Sequence, residues 1–365
     1  MKRPRLSRPL LVIAIAAVAV SALTTGTATS ATTEALQNGR LAFAKQPDEG
    51  ALFTINPDGT GLARIGKGEF PQFSPDGTRL SFACGNGDHV AACVANADGT
   101  NRQQIVPDTS GLANPPIDFF PTGWSPDGQL LLIDAGAGLS TKAAGIYTMR
   151  PDGSDLTRLT STPTEQIPYD YSPDGSKILY LQVDGDVGDL YAINADGSGK
   201  TRISPPDLNS TCCLPPGPDW SPDSQSIVFP AFDSVNKWGD GTALYIAGAD
   251  GSGLRRLTPS GQFSIQPAWS PDGNWIAYQK AGGYGWPKIK LVRPDGSGRY
   301  DITLPSQGLG GDMVWSPDSQ YLMITWGERP DYQYDIWTMR KDGTDLTQLT
   351  DTAAFDEALD WGMAP

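Results

Sequence analysis

One turn recurs along the chain. The tetrapeptide Ser-Pro-Asp-Gly begins at Ser74, Ser125, Ser172 and Ser270, and Ser-Pro-Asp-Ser at Ser221 and Ser316, giving intervals of 51, 47, 49, 49 and 46 residues. Between these lies a second marker, Asp-Gly followed by Ser or Thr, at Asp58, Asp98, Asp152, Asp196, Asp250, Asp295 and Asp342. Two interleaved markers on one long period point to a repeat architecture, in which each unit buries its apolar face against its neighbours.

The chemistry of one unit follows from its residues. An aromatic (Phe73, Trp124, Tyr171, Trp220, Trp269 or Trp315) precedes each Ser-Pro-Asp turn. Proline presets the first corner, aspartate bonds to nearby backbone amides, and glycine takes the left-handed position, so the strand reverses tightly. An apolar strand follows, as in Lys177-Ile178-Leu179-Tyr180; a third such as Gly145–Met149 runs into Asp-Gly, and a fourth such as Leu156–Thr160 closes the unit. Four short antiparallel strands per unit make a propeller blade. The first strand of the ring, Arg40–Ala44, has the second-strand pattern, and Ala358–Trp361 is a surplus first strand. The reading is therefore an all-β, seven-bladed β-propeller whose ring is closed by the C-terminal strand pairing into the first blade. Closure removes the free sheet edges that invite aggregation.

The recurring motif, seen in Trp124-Ser125-Pro126-Asp127-Gly128 followed by Ile146-Tyr147-Thr148-Met149 and by Asp152-Gly153-Ser154-Asp155-Leu156-Thr157-Arg158-Leu159-Thr160, resembles the TolB-type, WD40-like (PD40) repeat. The resemblance covers nearly all of residues 37–365. It implies a propeller that serves as a binding or scaffold module. TolB proteins carry an additional N-terminal domain and six blades, and this chain departs from both.

Lys2, Arg3, Arg5 and Arg8 precede the apolar run Leu10–Leu23 and a small-residue segment, the three regions of a secretory signal peptide. Cleavage is expected after Ala31, with Ala28 the neighbouring alternative. Residues 1–31 then form the leader and 32–365 a single propeller domain of seven repeats. The apolar run is too short for a membrane span. The mature protein is expected to be secreted, extracellular and monomeric, with no membrane span. The formal charge of −14 becomes −18 once the four leader cations are gone, which argues against binding a phosphate backbone and hence against a nucleic-acid partner.

Uniform turns occupy one face of such a ring, and the variable connections occupy the other. Loops on a rigid scaffold carry binding, so the expected partner is a protein, peptide or glycan on the variable face. Its candidate stacking rings are Trp238, Tyr284, Trp286, Trp326, Tyr332 and Tyr334, whose alternative role is to fold inward as padding. Asp170, Asp219 and Asp360 stand just before the first-strand aromatic and are expected at the channel, holding a cation or bonding to backbone amides. Asp184, Asp186 and Asp189 have the oxygen density of a Ca2+ loop without the full EF-hand spacing, so Ca2+ is the one cofactor considered, against an ordinary Gly/Asp turn. The thirteen turn aspartates are read as structural.

Catalysis finds less support. His89 is the single histidine, so a multi-His site like that of the oligogalacturonate lyases is excluded. No Gly-x-Ser-x-Gly elbow occurs, and Ser234-x-x-Lys237 sits in a Gly-rich loop rather than on a helix. The competing class is a polysaccharide- or cell-wall-processing enzyme with channel carboxylates as acid and base. Four cysteines suit an oxidising compartment. Cys84 and Cys93 flank one hairpin loop and can pair. Adjacent Cys212 and Cys213 either form a vicinal disulfide or stay reduced, and cross-pairing with the other two is a third arrangement.

Overall fold

The structure is a computed structural model. It describes residues 38–46, 50–85, 89–110, 118–135, 144–161, 164–185, 187–205, 208, 217–232, 241–280, 288–302, 304, 308–328, 333–351 and 355–364. Among them the strands form seven four-stranded antiparallel sheets, and every strand pairs with its sequence neighbour except at the ring closure. The chain is a seven-bladed β-propeller.

Blade 1 combines Asn38–Gln46, Ala51–Ile55 and Ala63–Lys67 with the last strand of the chain, Phe355–Met363, as its innermost member. Leu41 lies opposite Trp361, Ala42 opposite Asp360 and Lys45 opposite Asp356. The expected closure is present. Blades 2 to 7 begin with the inner strands Glu69–Phe73, Phe120–Trp124, Glu165–Tyr171, Asp219–Trp220, Ser264–Trp269 and Gly308–Trp315.

The core is divided among the blades. The seven inner-strand aromatics are each at most 9% exposed. Leu179 and Leu190 of blade 4 pack with Trp220 and Phe229 of blade 5, and Leu41, Phe43 and Trp361 of blade 1 pack with Met323 and Ile336 of blade 7. Burial of apolar area between sheets thus holds the ring as well as the blades. Cys84 and Cys93 form a disulfide with a Cα–Cα distance of 5.9 Å, across the second and third strands of blade 2. Cys212 and Cys213 lie outside the described residues.

Candidate functional site: the channel and its two faces

In a four-stranded antiparallel blade the first–second and third–fourth turns share one end, so both aspartate turns of every repeat lie on one face of the ring. Their bonding is uniform. In the Asp-Gly turns the carboxylate Oδ1 accepts the N–H two residues on, at 2.8–3.0 Å. In the Ser-Pro-Asp turns the serine hydroxyl donates to Oδ1 at 2.5–2.7 Å. The Ser or Thr hydroxyl, then the backbone N–H, hold Asp58, Asp98, Asp152, Asp196 and Asp342 below the usual carboxylate range.

The residue before each inner aromatic runs Asp360, Gln72, Gly123, Asp170, Asp219, Ala268 and Val314 around the ring. A β-bulge interrupts the inner strand just upstream in blades 2, 3, 4, 6 and 7, and another breaks the pairing of the blade-1 inner strand. A bulge changes which side of the strand the following residues present.

Two of the three channel carboxylates join blades. Asp360 accepts the Phe73 N–H of blade 2 at 2.5 Å and its own neighbour's N–H, from Trp361, at 2.8 Å. Asp219 accepts the Trp269 N–H of blade 6 at 2.6 Å. Asp170 differs. It accepts the Tyr171 N–H at 2.7 Å and leans back toward blade 3, where a Cβ on Gly123 would come within 2.6 Å of its Oδ1.

A cavity of about 310 Å3 opens beside it. Asp170 and Asp360 line it together with Phe73, Trp124 and Tyr171, and Pro75, Pro126 and Pro173 of three Ser-Pro-Asp turns form its rim. The cavity is therefore at the uniform-turn mouth of the channel. Solvent reaches Asp170, yet the protein packed around the channel desolvates all three carboxyls. That desolvation pushes Asp170 up to about 8, with Asp219 and Asp360 adding repulsion, and Asp219 and Asp360 up to about 6. Burial also lifts Asp134, beside Glu165, to about 7 and Asp356 to about 6.

These opposed shifts set a pH profile. A carboxyl raised in the folded state keeps its proton while the unfolded chain ionises, so stability falls from about pH 4 up to its folded pKa; the turn aspartates, lowered on folding, lose their contribution only as pH drops below about 4. The thermal midpoint is expected to peak near pH 5 and decline toward pH 8, with Asp170→Asn flattening the last part. Calorimetry across this range checks it. A midpoint that is level or rising from pH 5 to 8 would contradict the assignment.

The other expected site residues are scattered. Trp238, Tyr284, Trp286 and Tyr332 lie outside the described residues. Trp326 turns inward, 5% exposed against Met313 and Ile324, so it is padding rather than a platform. Tyr334 is partly buried opposite Gly327 in the same hairpin. In the Asp-rich loop Asp186 is outside the described residues, Asp184 is exposed, and the Asp189 carboxylate is taken by Arg202. Among the described residues no three His, Cys, Asp or Glu side chains group as metal ligands.

Sequence reasoning missed Gly123, Lys45 and Asp356. Lys45 Nζ stands 3.8 Å from the fully buried Asp356, at the closure, and both residues are visible in sequence only as isolated charges. Aligning the seven repeats on the inner aromatic would have exposed Gly123 as the gap beside Asp170.

No protein-family model matches the chain. Over 260 residues, 68% of this chain and 81% of the relative, it is 25% identical to the uncharacterised protein Atu1656 of Agrobacterium fabrum. Among solved structures it resembles TolB from Acinetobacter baumannii, with a TM-score of 0.54 and 18% identity over 79% of this chain and 67% of that one. It also resembles the β-propeller domain of the trilobed protease from Pyrococcus furiosus, with a TM-score of 0.63 and 13% identity over 86% of this chain and 98% of that domain. That domain has an open velcro topology, whereas here the last strand closes the first blade. At these identities the shared property is the fold. No helix among the described residues is long and apolar enough to cross a membrane.

Proposed function

We propose that the chain is a secreted binding or scaffold propeller, exported by a leader over residues 1–31, whose variable loop face takes up a protein, peptide or glycan. The observation that carries this reading is the commitment of two of the three candidate acid–base carboxylates, and of the turn carboxylates, to structure. Asp219 and Asp360 accept N–H groups from the next blade at 2.6 and 2.5 Å, and the turn carboxylates are held by their own Ser, Thr and backbone donors. What varies between repeats is left to the connections on the opposite face, where the scaffold can present different side chains at little cost to stability. The Cys84–Cys93 disulfide fits an oxidising compartment.

The test is a comparison of faces. The purified protein is screened on peptide and glycan arrays, and each hit is remeasured with Trp238→Ala, Tyr332→Ala and Tyr334→Ala on one face and Asp98→Asn and Asp196→Asn on the other. Binding is expected to fall at least about tenfold for a loop variant and to hold for the turn variants. Metal-independent glycan cleavage that disappears in Asp219→Asn or Asp360→Asn proteins of native fold would instead establish the enzyme reading.

A further inference from the structure

We propose that the Cys84–Cys93 disulfide is a thiol-exchange site, opened at Cys84 by a small anionic thiol that enters the cleft between blades 1 and 2. It uses neither the loop rings nor the channel carboxylates, so it stands or falls separately from the reading above.

The first support is the cleft itself. Both cysteines form part of the wall of a cavity of about 300 Å3, together with Gly66 and Lys67 of the outer strand of blade 1. The strand register puts them there. Phe82 lies opposite Cys93, and Cys93 opposite Gln104, so these side chains share one face of blade 2, where Phe82 and Cys93 pack against Leu52 and Ile65 of blade 1. Cys84, two residues beyond Phe82, falls on the same face. It is partly exposed, whereas Cys93 is 1% exposed. An incoming sulfur therefore meets Cys84 first.

The second support is the charge of the wall, which is independent of the sulfurs. The Arg102 guanidinium lies 5.4 Å from the centre of the Phe82 ring and donates to the Lys67 carbonyl at 2.8 Å. Gly66 makes room for it, since a Cβ there would come within 2.9 Å of Arg102 Nε. Lys67 is a second, exposed cation in the wall, and no Asp or Glu lines the cavity among the described residues. Cations beside a sulfur favour its thiolate, on the attacking reagent and on the departing cysteine alike. A chain with a formal charge of −14 thus places two cations beside its disulfide.

The exchange balances in two steps. A thiolate attacks Cys84 Sγ and forms a new S–S bond as the Cys84–Cys93 bond breaks, and the electron pair leaves on Cys93 Sγ. A second thiolate then attacks the reagent's sulfur in that mixed disulfide, and Cys84 departs as a thiolate. Two reagent thiols are oxidised to one disulfide, the protein disulfide is reduced, and the two protons the reagents gave up end on the cysteines. The blade survives the break. Seven registered pairs, from Arg79 with Asn96 to Gly85 with Val90, already join the two strands. The cross-link spans a sequence separation of only 9, and so short a loop constrains the unfolded chain less than a long one.

The experiment incubates the purified oxidised protein with reduced glutathione, an anionic thiol, and with cysteamine, a cationic one, at equal thiolate concentration and about pH 7.5, where free thiols are partly ionised. Timed samples are quenched in acid, alkylated and peptide-mapped, so that Cys84 and Cys93 are followed apart from Cys212 and Cys213, while circular dichroism monitors the fold. Glutathione is expected to open the bond in the folded protein, with the transient adduct on Cys84 and a rate at least about threefold above that of cysteamine. Raising the salt to about 0.5 M should remove that preference. Lys67→Gln combined with Arg102→Gln should remove it too, at two exposed positions outside the apolar core. Opening only in urea that unfolds the protein, equal rates for the two thiols at low salt, an adduct on Cys93, or an unchanged preference in the double variant would each overturn the site.

Discussion

Deletion of residues 355–365 is expected to abolish cooperative folding. The deletion strips blade 1 of its inner strand and exposes the fully buried Leu41 and Phe43 along with the surface they share with Met323 and Ile336 of blade 7. It removes the Asp360 bond to blade 2 and the Asp356 partner of Lys45. Loss of Trp361 alone should cost ~3–5 kcal/mol, a large part of the ~5–15 kcal/mol that holds a typical domain. The unpaired edge left on Asn38–Gln46 also invites association. Circular dichroism melting of the truncated protein, with Trp361→Ala as the graded variant, measures this. A truncated protein that melts within a few degrees of the full chain would contradict the closure.

The interblade carboxylates should rank next. Asp360→Ala removes the acceptor of two N–H groups, those of Phe73 and Trp361. Leaving two buried donors unpaired should cost about 3 kcal/mol. Asp219→Ala, which frees the Trp269 N–H, should cost about 2 kcal/mol. Asp170→Asn breaks no bond between blades and should cost less than about 1 kcal/mol. Urea denaturation of the three variants at pH 6 tests the order. Equal losses at Asp170 and Asp360 would show that the asymmetry between them has no energetic content.

The repeated turns made most of the fold readable in advance. Pro, Asp and Gly each impose a local backbone geometry, and six copies in phase leave little freedom in strand order, so the blade count follows from short-range chemistry, and the closure from the surplus first strand at the end of the chain. The channel was readable only in part. Asp170, Asp219 and Asp360 were placed by their spacing from an aromatic, but their different roles depend on which blade each carboxyl leans toward. Asp170 leans toward Gly123, distant from it in sequence and adjacent to it in space, a neighbour that spacing along the chain does not reveal. The burial of Trp326 had a similar cause. Its position beside a variable loop suggested exposure, while its place in the strand Tyr321–Glu328 turns it toward Met313 and the core.

The closing strand completes blade 1 and supplies Asp360 to the cavity wall, and amide hydrogen exchange reads its pairing residue by residue. In the closed ring the amides of Phe355–Met363 and Asn38–Gln46 that lie in the registered pairing should exchange as slowly as those of the central strands Lys177–Asp184 and Ser226–Phe232, because opening any of them requires global unfolding. Rapid exchange confined to Phe355–Met363, with the central blades protected, would show an open ring and contradict the closure.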